Sequence, residues 1–215
     1  MSHDWMYTQD VFIDIHEELY PYSKVLEFFK VVERDFDVKK YCNGSNAGGR
    51  WIFQIYSEEF ILEISDTIQK HIQIEGNHPI AEVMSGDGRL TEFIRTRLDC
   101  DIITTDAKTG RYNIAYPKWV EKKTAIETVE EYDPALVIIS WEPYLSMAGI
   151  ELVKMGIPLM WIGNPEMCGH EELFEFDFWS LNSKFAISRH DSFLSQERKT
   201  DVFVFNVDKR LNCSV

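Results

Sequence analysis

Two glycines and a later carboxylate are the residues of this sequence whose types and spacing point most directly to chemistry. Gly86 and Gly88 follow a short apolar strand, Ile80–Met84, and Asp106 closes a second predicted strand, Asp101–Thr105. Glycine lets a chain turn sharply from strand to helix and leaves no Cβ between the backbone and a ligand, so the N–H groups of the new helix can point at it. A carboxylate at the tip of the next strand can accept hydrogen bonds from both hydroxyls of a ribose. The spacing therefore predicts half of a nucleotide-binding βαβ unit.

The elements that must position these residues are the strands and helices of an open α/β sheet. The helix between the two strands has apolar residues at helical spacing, which are Leu90, Phe93, Ile94 and Leu98. The runs Ala135–Ser140 and Leu159–Ile162 are continuously apolar, as strands at the centre of a parallel sheet are. Ligands of such sheets bind beyond the carboxyl ends of the strands. We therefore expect the loops after these runs to face the same crevice as Gly86 and Asp106.

Two common nucleotide-binding motifs do not fit the turn. A dinucleotide fingerprint requires a third small residue after Gly88, at the position where this chain has Thr91. A P-loop requires Gly-Lys-Ser or Gly-Lys-Thr, which is absent. A nicotinamide-dependent reductase is therefore the weaker alternative, and we expect no binding of NAD(H).

The turn resembles the first motif of the class I S-adenosylmethionine-dependent methyltransferases. That motif is commonly acidic-x-Gly-x-Gly-x-Gly followed by a helix start rich in Arg and Leu, and Glu82–Leu90 matches it at the acidic residue and at the last two glycines. The resemblance implies S-adenosylmethionine as the cofactor, with Glu82 ordering the turn and the amino-acid part of the ligand, and Asp106 on the ribose. The cofactor-binding residues that it implies at this edge are Glu82, Met84, Ser85, Gly86, Gly88 and Asp106.

The sequence departs from the family's pattern at two places. Met84 stands where the family has its first glycine, the point at which the backbone passes closest to the methionine half of the cofactor. Met84 can narrow this space, shift the cofactor or mark a protein that has lost it. The residues after the third strand, which often supply an Asp to the adenine, correspond to Lys122–Ala125, where no Asp occurs. The alternative is therefore a catalytically degenerate binding or scaffold protein that keeps the same sheet.

The segment Ser140–Tyr144 follows the most apolar run and should border the crevice. Amino-group methyltransferases that act on bases often carry Asp/Asn/Ser-Pro-Pro-Tyr/Phe/Trp here, and S-W-E-P-Y half resembles that pattern. Ser140 and Trp141 are candidate cofactor contacts, and Glu142 and Tyr144 are candidate catalytic residues. Glu142 can act as a general base or hold a substrate amine, and the rings of Trp141 or Tyr144 can stack on a substrate or meet the sulfonium. The alternative is a turn with Trp141 in the core.

Two other segments suggest chemistry that their surroundings do not support. Cys42–Gly49 is rich in glycine, but it lacks a preceding apolar strand and a following Lys-Ser/Thr, so a linker or the edge of a mobile lid is favoured. Cys168 and His170 lack further ligands at metal-site spacing. We expect His170 to cap the helix that begins at Glu171, and no metal site is predicted.

The charge balance limits the class of partner. With 22 basic and 36 acidic residues among 215, the formal net charge is −14, and no Lys/Arg cluster interrupts it. Nucleic acid and anionic membranes are therefore disfavoured, and a small molecule or a protein is the expected methyl acceptor.

No apolar run reaches the roughly 18 residues of a membrane span. The chain has four cysteines, which are Cys42, Cys100, Cys168 and Cys213. They lack CxxC spacing, which favours a reducing cytoplasmic setting. The identity of the acceptor and the oligomeric state stay open.

These features predict one doubly wound α/β domain with a mostly parallel sheet and an antiparallel last strand. Residues 1–75 are expected to form an N-terminal helical segment packed on the core, and residues 76–215 a Rossmann-like, methyltransferase-type domain. The helices predicted in the first part are Thr8–Tyr20, Ser23–Phe36 and Ser57–Gln73. Lys184–Arg189 and Asp201–Val207 are predicted to close the sheet as an antiparallel pair. Glu172–Ser180 is aromatic on more than one face and is expected to be a buried helix or a contact surface.

Overall fold

The computed structural model describes residues 4–75, 78–110 and 112–207. Its α-helices are α1 (Tyr22–Asp35), α2 (Val38–Cys42), α3 (Glu58–Glu75), α4 (Arg89–Ile94), α5 (Ala125–Tyr132) and α6 (Ala148–Lys154). Its strands are β1 (Tyr7–Thr8), β2 (Val11–Phe12), β3 (Gln54–Ile55), β4 (Ile80–Val83), β5 (Ile102–Asp106), β6 (Glu121–Lys122), β7 (Leu136–Ser140), β8 (Leu159–Gly163), β9 (Phe178–Ser180), β10 (Ile187–Ser188) and β11 (Asp201–Phe205). Short 3₁₀ helices span Asp4–Met6 and Glu171–Glu175.

The described residues form a seven-stranded sheet in the order β6-β5-β4-β7-β8-β11-β9. The first five strands of this order run parallel to one another, and β11 runs antiparallel to both of its neighbours. The chain order reverses at β4, because β5 pairs on one side of it and β7 on the other. This confirms the predicted doubly wound, mostly parallel α/β sheet with an antiparallel last strand, and it places the topological switch point at β4.

The inner strands are buried on both faces because helices cover both sides of the sheet. Successive residues alternate between two apolar clusters, as the two-residue period of a strand requires. Ile80, Leu136 and Ile138 join the cluster under α3 and α4. Ala81 and Val137 join the cluster under α5 and α6. Continuous apolar runs in β4, β7 and β8 are therefore what this sandwich requires.

The predicted helix Thr8–Tyr20 is wrong. β1 and β2 pair as a short hairpin whose two turn residues, Gln9 and Asp10, both have positive φ. Tight two-residue hairpins favour that backbone geometry. The ring centroids of Tyr7 and Phe12 lie 4.5 Å apart across the hairpin. The apolar spacing that imitated a helix comes from a hairpin and the irregular chain after it.

The helices predicted at Ser23–Phe36 and Ser57–Gln73 are present as α1 and α3. Ser57 Oγ accepts a hydrogen bond from Phe60 N at 3.3 Å, as an N-cap does. α1 packs into a cluster separate from the sheet, whereas α3 packs on the sheet itself. The predicted division into residues 1–75 and 76–215 falls beside residues 76 and 77, which lie outside the described chain, and it stays a prediction.

The predicted pairing of Lys184–Arg189 with Asp201–Val207 is wrong. β10 pairs instead with β3, and β9 is the strand that pairs with β11. The segment Glu172–Ser180, predicted to be a buried helix or a contact surface, is divided between the short 3₁₀ helix Glu171–Glu175 and the strand β9. Phe178 and Phe205 face each other in this pair, with ring centroids 5.6 Å apart.

None of the described helices has both the length and the apolar content that a membrane crossing needs. Cys42, Cys100 and Cys168 are free thiols, and Cys213 lies outside the described residues.

Candidate functional site

A cleft of about 890 Å³ opens beyond the carboxyl ends of β4, β5 and β7. Its walls are the loops that follow these three strands, the loop before β3 and the residues after β10. The cleft therefore lies at the switch point of the sheet, and its volume is in the usual range for small-ligand sites, roughly 300–1,000 Å³.

Met84, Gly86 and Gly88 all lie in the left-handed region of backbone conformation, with φ of +55°, +58° and +71°. Gly88 has a second constraint, because a Cβ there would lie 2.3 Å from Cη2 of Trp119. Met84 thus keeps the conformation that a glycine adopts freely, at a cost of about 1–2 kcal/mol for an L side chain. Its side chain lines the cleft and packs against the cluster under α5 and α6.

The Asp106 carboxylate faces the glycine turn. Its Oδ2 accepts a hydrogen bond from Gly86 N at 3.0 Å, and its Oδ1 accepts one from Lys108 N at 2.6 Å. The hydroxyl of Tyr116 also bonds to Asp106, and burial together with this carboxylate raises the pKa of Tyr116 to about 12. A carboxylate has about four acceptor sites, so Asp106 keeps capacity for a ligand hydroxyl. The structure thus brings together the glycines and the carboxylate that the sequence singles out.

Glu82 is buried beneath the same turn. Its Oε2 accepts hydrogen bonds from Thr91 N at 2.9 Å and from the Thr91 hydroxyl. Thr91 Oγ1 lies 2.9 Å from Thr104 Oγ1, so the network ties β4, α4 and β5 together. Burial raises the pKa of Glu82 to about 8. This carboxylate orders the start of α4, and its contact with a ligand stays a prediction.

Two buried polar atoms at the turn lack a hydrogen-bond partner within the described chain. They are Ser85 Oγ and Arg89 Nε, and both residues line the cleft. Buried polar atoms are rarely left unpaired in native proteins, because each unmade bond costs about 1–3 kcal/mol. Both atoms are shut off from solvent, so they lie behind the wall of the cleft and not on its surface.

Arg50 joins the N-terminal part of the chain to the turn. Its Nε donates to Asp14 Oδ2 at 2.8 Å, and its Nη1 pairs with Asp87 Oδ2. The glycine-rich loop before it lines the cleft at Gly48, where a Cβ would lie 2.5 Å from Asp14 Oδ2. No local sequence pattern indicates this bridge, since Asp14, Arg50 and Asp87 lie far apart in the chain.

His16 is a second cleft residue that the sequence did not indicate. Its Nε2 accepts a hydrogen bond from Tyr56 N at 3.0 Å. Burial, together with the charges of Arg50 and Arg89, lowers the pKa of His16 to about 3. The neutral imidazole can therefore act as a fixed acceptor within the wall.

Ser140 and Trp141 border the cleft after β7, as predicted from their position. Ser140 Oγ lies 3.3 Å from the Tyr56 hydroxyl. Trp141 has φ of +61°, and its Nε1 donates to Gln54 Oε1 at 2.9 Å. Its ring stacks on His190 with centroids 5.2 Å apart. Both residues share the cleft with Asp106, and their contact with a cofactor stays a prediction.

Glu142 and Tyr144, the candidate catalytic residues, have opposite surroundings. Glu142 is only 1% exposed. Its Oε1 accepts a hydrogen bond from Gly149 N and its Oε2 accepts one from Trp161 Nε1, both at 2.9 Å. Burial raises the pKa of Glu142. Tyr144 is 68% exposed at the rim. Both carboxylate oxygens of Glu142 thus accept hydrogen bonds from groups of the fold. The catalytic roles of Glu142 and Tyr144 stay predictions.

His170 caps the short helix after β8, which confirms that prediction. Its Nδ1 accepts a hydrogen bond from Glu172 N at 3.2 Å. Cys168 is buried, its Sγ lies 3.4 Å from Asn164 O, and burial raises the pKa of this thiol to about 12. Among the described residues, no group of three or more His, Cys, Asp or Glu side chains is arranged to hold a metal ion.

Comparison with known proteins shows a distant structural likeness to a methyltransferase. No protein-family model matches the chain, and no curated protein matches it. Among solved structures, it is similar to the plantazolicin methyltransferase BpumL in complex with SAH, at 11% identity and a TM-score of 0.36. The match covers 85% of this chain and 98% of that one. At this distance the α/β architecture of the present chain stands on its own strand order and directions.

Proposed function

We propose that this protein binds S-adenosylmethionine at the glycine turn and transfers its methyl group to a small-molecule or protein acceptor. The observation that carries the proposal is the hydrogen bond between Gly86 N and Asp106 Oδ2 at the switch point of the sheet. It brings a ribose-accepting carboxylate to a turn whose backbone leaves room for a ligand.

The residues of the chain divide the work of binding. S-adenosylmethionine, when bound, supplies a methyl group activated by a sulfonium. Asp106 accepts from a ribose hydroxyl, the backbone of Met84–Gly88 lies along the amino-acid part, and Glu82 keeps the turn in place through Thr91. Ser140 and Trp141 lie across the cleft, where an indole face can stabilise a cation. Direct transfer requires chiefly in-line positioning and a route for the proton, so no residue needs to form a covalent bond.

A second candidate is a binding or scaffold protein that has lost turnover. Met84 favours it, because its side chain occupies the cleft wall where the methyltransferase pattern has a glycine. The two candidates differ in whether the wild-type cleft still admits the cofactor.

Isothermal titration of the full chain separates the candidates. We expect S-adenosylmethionine and S-adenosylhomocysteine to bind wild-type protein, and NAD(H) not to bind. No heat of binding at about 1 mM of either sulfur ligand would reject the methyltransferase. If Met84→Gly then binds them where the wild type does not, the degenerate protein is the correct conclusion.

A further inference from the structure

Arg189 lies in the wall of the cleft, and no carboxylate of the described residues pairs with it. Arg50, Arg89 and Arg189 are the arginines of the described chain that line the cleft. Arg50 pairs with two carboxylates, and Arg89 pairs with Glu92 at 2.7 Å. No Asp or Glu of the described residues lies within ion-pairing distance of Arg189. This is unusual in a chain with a net charge of −14, since acidic side chains are abundant.

Neutral groups hold the Arg189 guanidinium in place. It lies over the Phe53 ring at 3.9 Å from the centroid, its Nη1 donates to Asn43 Oδ1 at 2.7 Å, and its Nε donates to His190 Nε2 at 3.3 Å. Burial and the charge of Arg189 lower the pKa of His190 to about 4, so the imidazole is a neutral acceptor. A half-buried charge is thus fixed in orientation and left uncompensated, which favours an incoming anion.

Aromatic side chains surround this cation. We call them the aromatic wall, and they are Trp51, Phe53, Tyr112 and Trp141. Their rings follow one another along the cleft, with centroids 4.7 Å apart for Trp51 and Tyr112, 5.5 Å for Tyr112 and Phe53, and 6.2 Å for Phe53 and Trp141. Such a wall favours a planar apolar body over a flexible polar one.

We propose that the methyl acceptor is a small aromatic or heteroaromatic carboxylic acid, whose carboxylate binds Arg189 and whose ring lies on the aromatic wall. This rests on the proposed function, because it assigns the part of the cleft around Arg189 to the acceptor. Guanidinium and carboxylate match in charge and geometry. The carboxylate of the acceptor would form the ion pair with Arg189 that no carboxylate of the described chain forms. The competing occupant is the carboxylate of the cofactor itself, and the experiment below separates the two.

The test uses matched pairs of acids and amides, such as 4-hydroxybenzoate with 4-hydroxybenzamide and indole-3-acetate with indole-3-acetamide. Each is titrated into the full chain by calorimetry, with and without saturating S-adenosylhomocysteine. We expect wild-type protein to bind at least one acid about tenfold or more tightly than its amide, because a hydrogen bond to a charged group discriminates by at least that factor. Arg189→Gln should abolish the preference, and Arg189→Lys should keep part of it.

Arg95→Gln is the matched control. Arg95 also lies over an aromatic ring, 4.8 Å from the centroid of Trp119, but it is exposed and outside the cleft. This variant should keep the wild-type preference, and thermal melts should show that all three variants fold.

Three results would overturn the proposal. One is a wild-type protein that binds no acid of the series more tightly than its amide, including the case in which neither binds. Another is equal loss of preference in Arg189→Gln and Arg95→Gln. The third is a tenfold or greater loss of S-adenosylhomocysteine affinity in Arg189→Gln, which would assign this cation to the cofactor. Failure of the proposed function appears separately, as wild-type protein that does not bind S-adenosylhomocysteine in the absence of any acid.

Discussion

The two ends of the cleft are built in opposite ways. At the cofactor end, which comprises Met84–Gly88 and Asp106, a carboxylate accepts hydrogen bonds from main-chain N–H groups of the turn and of its own loop. At the acceptor end, which comprises Arg189 and the aromatic wall, a guanidinium is held by neutral side chains and a ring. The cleft therefore holds a carboxylate fixed by the main chain and a guanidinium fixed by neutral groups, whereas its other arginines, Arg50 and Arg89, are paired with carboxylates.

This difference distinguishes residues that stabilise the fold from residues that serve chiefly to bind a ligand. The cofactor end lies on the carboxyl edges of adjacent strands, so its geometry is part of the sheet and its substitutions should affect folding as well as binding. The acceptor end is assembled from side chains on separate loops, so its substitutions should affect chiefly the binding of the acceptor. Measurements of stability and of affinity can test this division directly.

The largest effect is expected from Gly88→Ala. The new Cβ would combine left-handed strain of about 1–2 kcal/mol with overpacking against Trp119 of about 1–3 kcal/mol. We expect the free energy of unfolding in urea to fall by about 2–4 kcal/mol. Gly86→Ala is the matched control, because its Cβ would meet only Ile114 Cδ1 at 3.8 Å and it should cost about 1–2 kcal/mol. Equal losses in the two variants would show that Trp119 does not constrain the turn.

Asp106→Asn should weaken S-adenosylhomocysteine binding by about 1.5–3 kcal/mol, roughly 10- to 150-fold, since it removes charge-assisted hydrogen bonds to the ribose. Isothermal titration measures the change. Asp101→Asn is the control, because it removes the same charge from the chain. Asp101 is exposed, and it lies at the opposite edge of the sheet. An unchanged affinity in Asp106→Asn, or an equal loss in both variants, would remove Asp106 from the ribose role.

The same division explains which features the sequence could predict. β4, the turn, α4 and β5 follow one another in the chain, so glycine spacing, apolar runs and Asp106 were enough to predict that the Asp106 carboxylate lies beside the glycine turn. The buried strands β7 and β8 were also predicted, because continuous apolar runs have few alternatives in an α/β sheet.

The features that were missed depend on contacts between distant segments. Arg189 and the bridge from Arg50 to Asp14 and Asp87 have no local pattern, and neither has the pairing of β10 with β3. Glu142 occurs in a segment that resembles a catalytic motif, yet its partners Gly149 and Trp161 belong to α6 and β8. Only the packing of those elements decides whether such a carboxylate faces a ligand or the core.

Glu82→Gln should change how stability depends on pH. The folded protein holds the Glu82 proton up to a pKa of about 8, whereas the unfolded chain loses it near 4.5, so the unfolded state binds fewer protons between these values. The free energy of unfolding then falls as pH rises, by at most about 1.4 kcal/mol per pH unit from this group. His16 and His190 act with the opposite sign, but only below their ordinary pKa of 6.5.

Urea unfolding between pH 6.5 and 8 is therefore the window that isolates Glu82. The glutamine variant should lose this downward slope while keeping an acceptor for Thr91. Glu127→Gln is the control. Hydrogen bonds from Thr124 lower the pKa of Glu127, so this side chain is ionised in both the folded and the unfolded protein throughout this window. A slope that is the same in wild type and Glu82→Gln would mean that Glu82 is ionised in the folded protein.

The smallest expected effect is the coupling between the two ends of the cleft. Arg189→Gln should change S-adenosylhomocysteine affinity less than about twofold, because Arg189 contacts Phe53, Asn43 and His190 and no residue of the glycine turn. In a double-mutant cycle with Asp106→Asn, the two changes in binding free energy should add to within about 0.5 kcal/mol, as they do for sites with no shared partner. A coupling well above this value would mean that one ligand touches both Asp106 and Arg189. The cation would then belong to the cofactor, and the cleft would have one binding end instead of two.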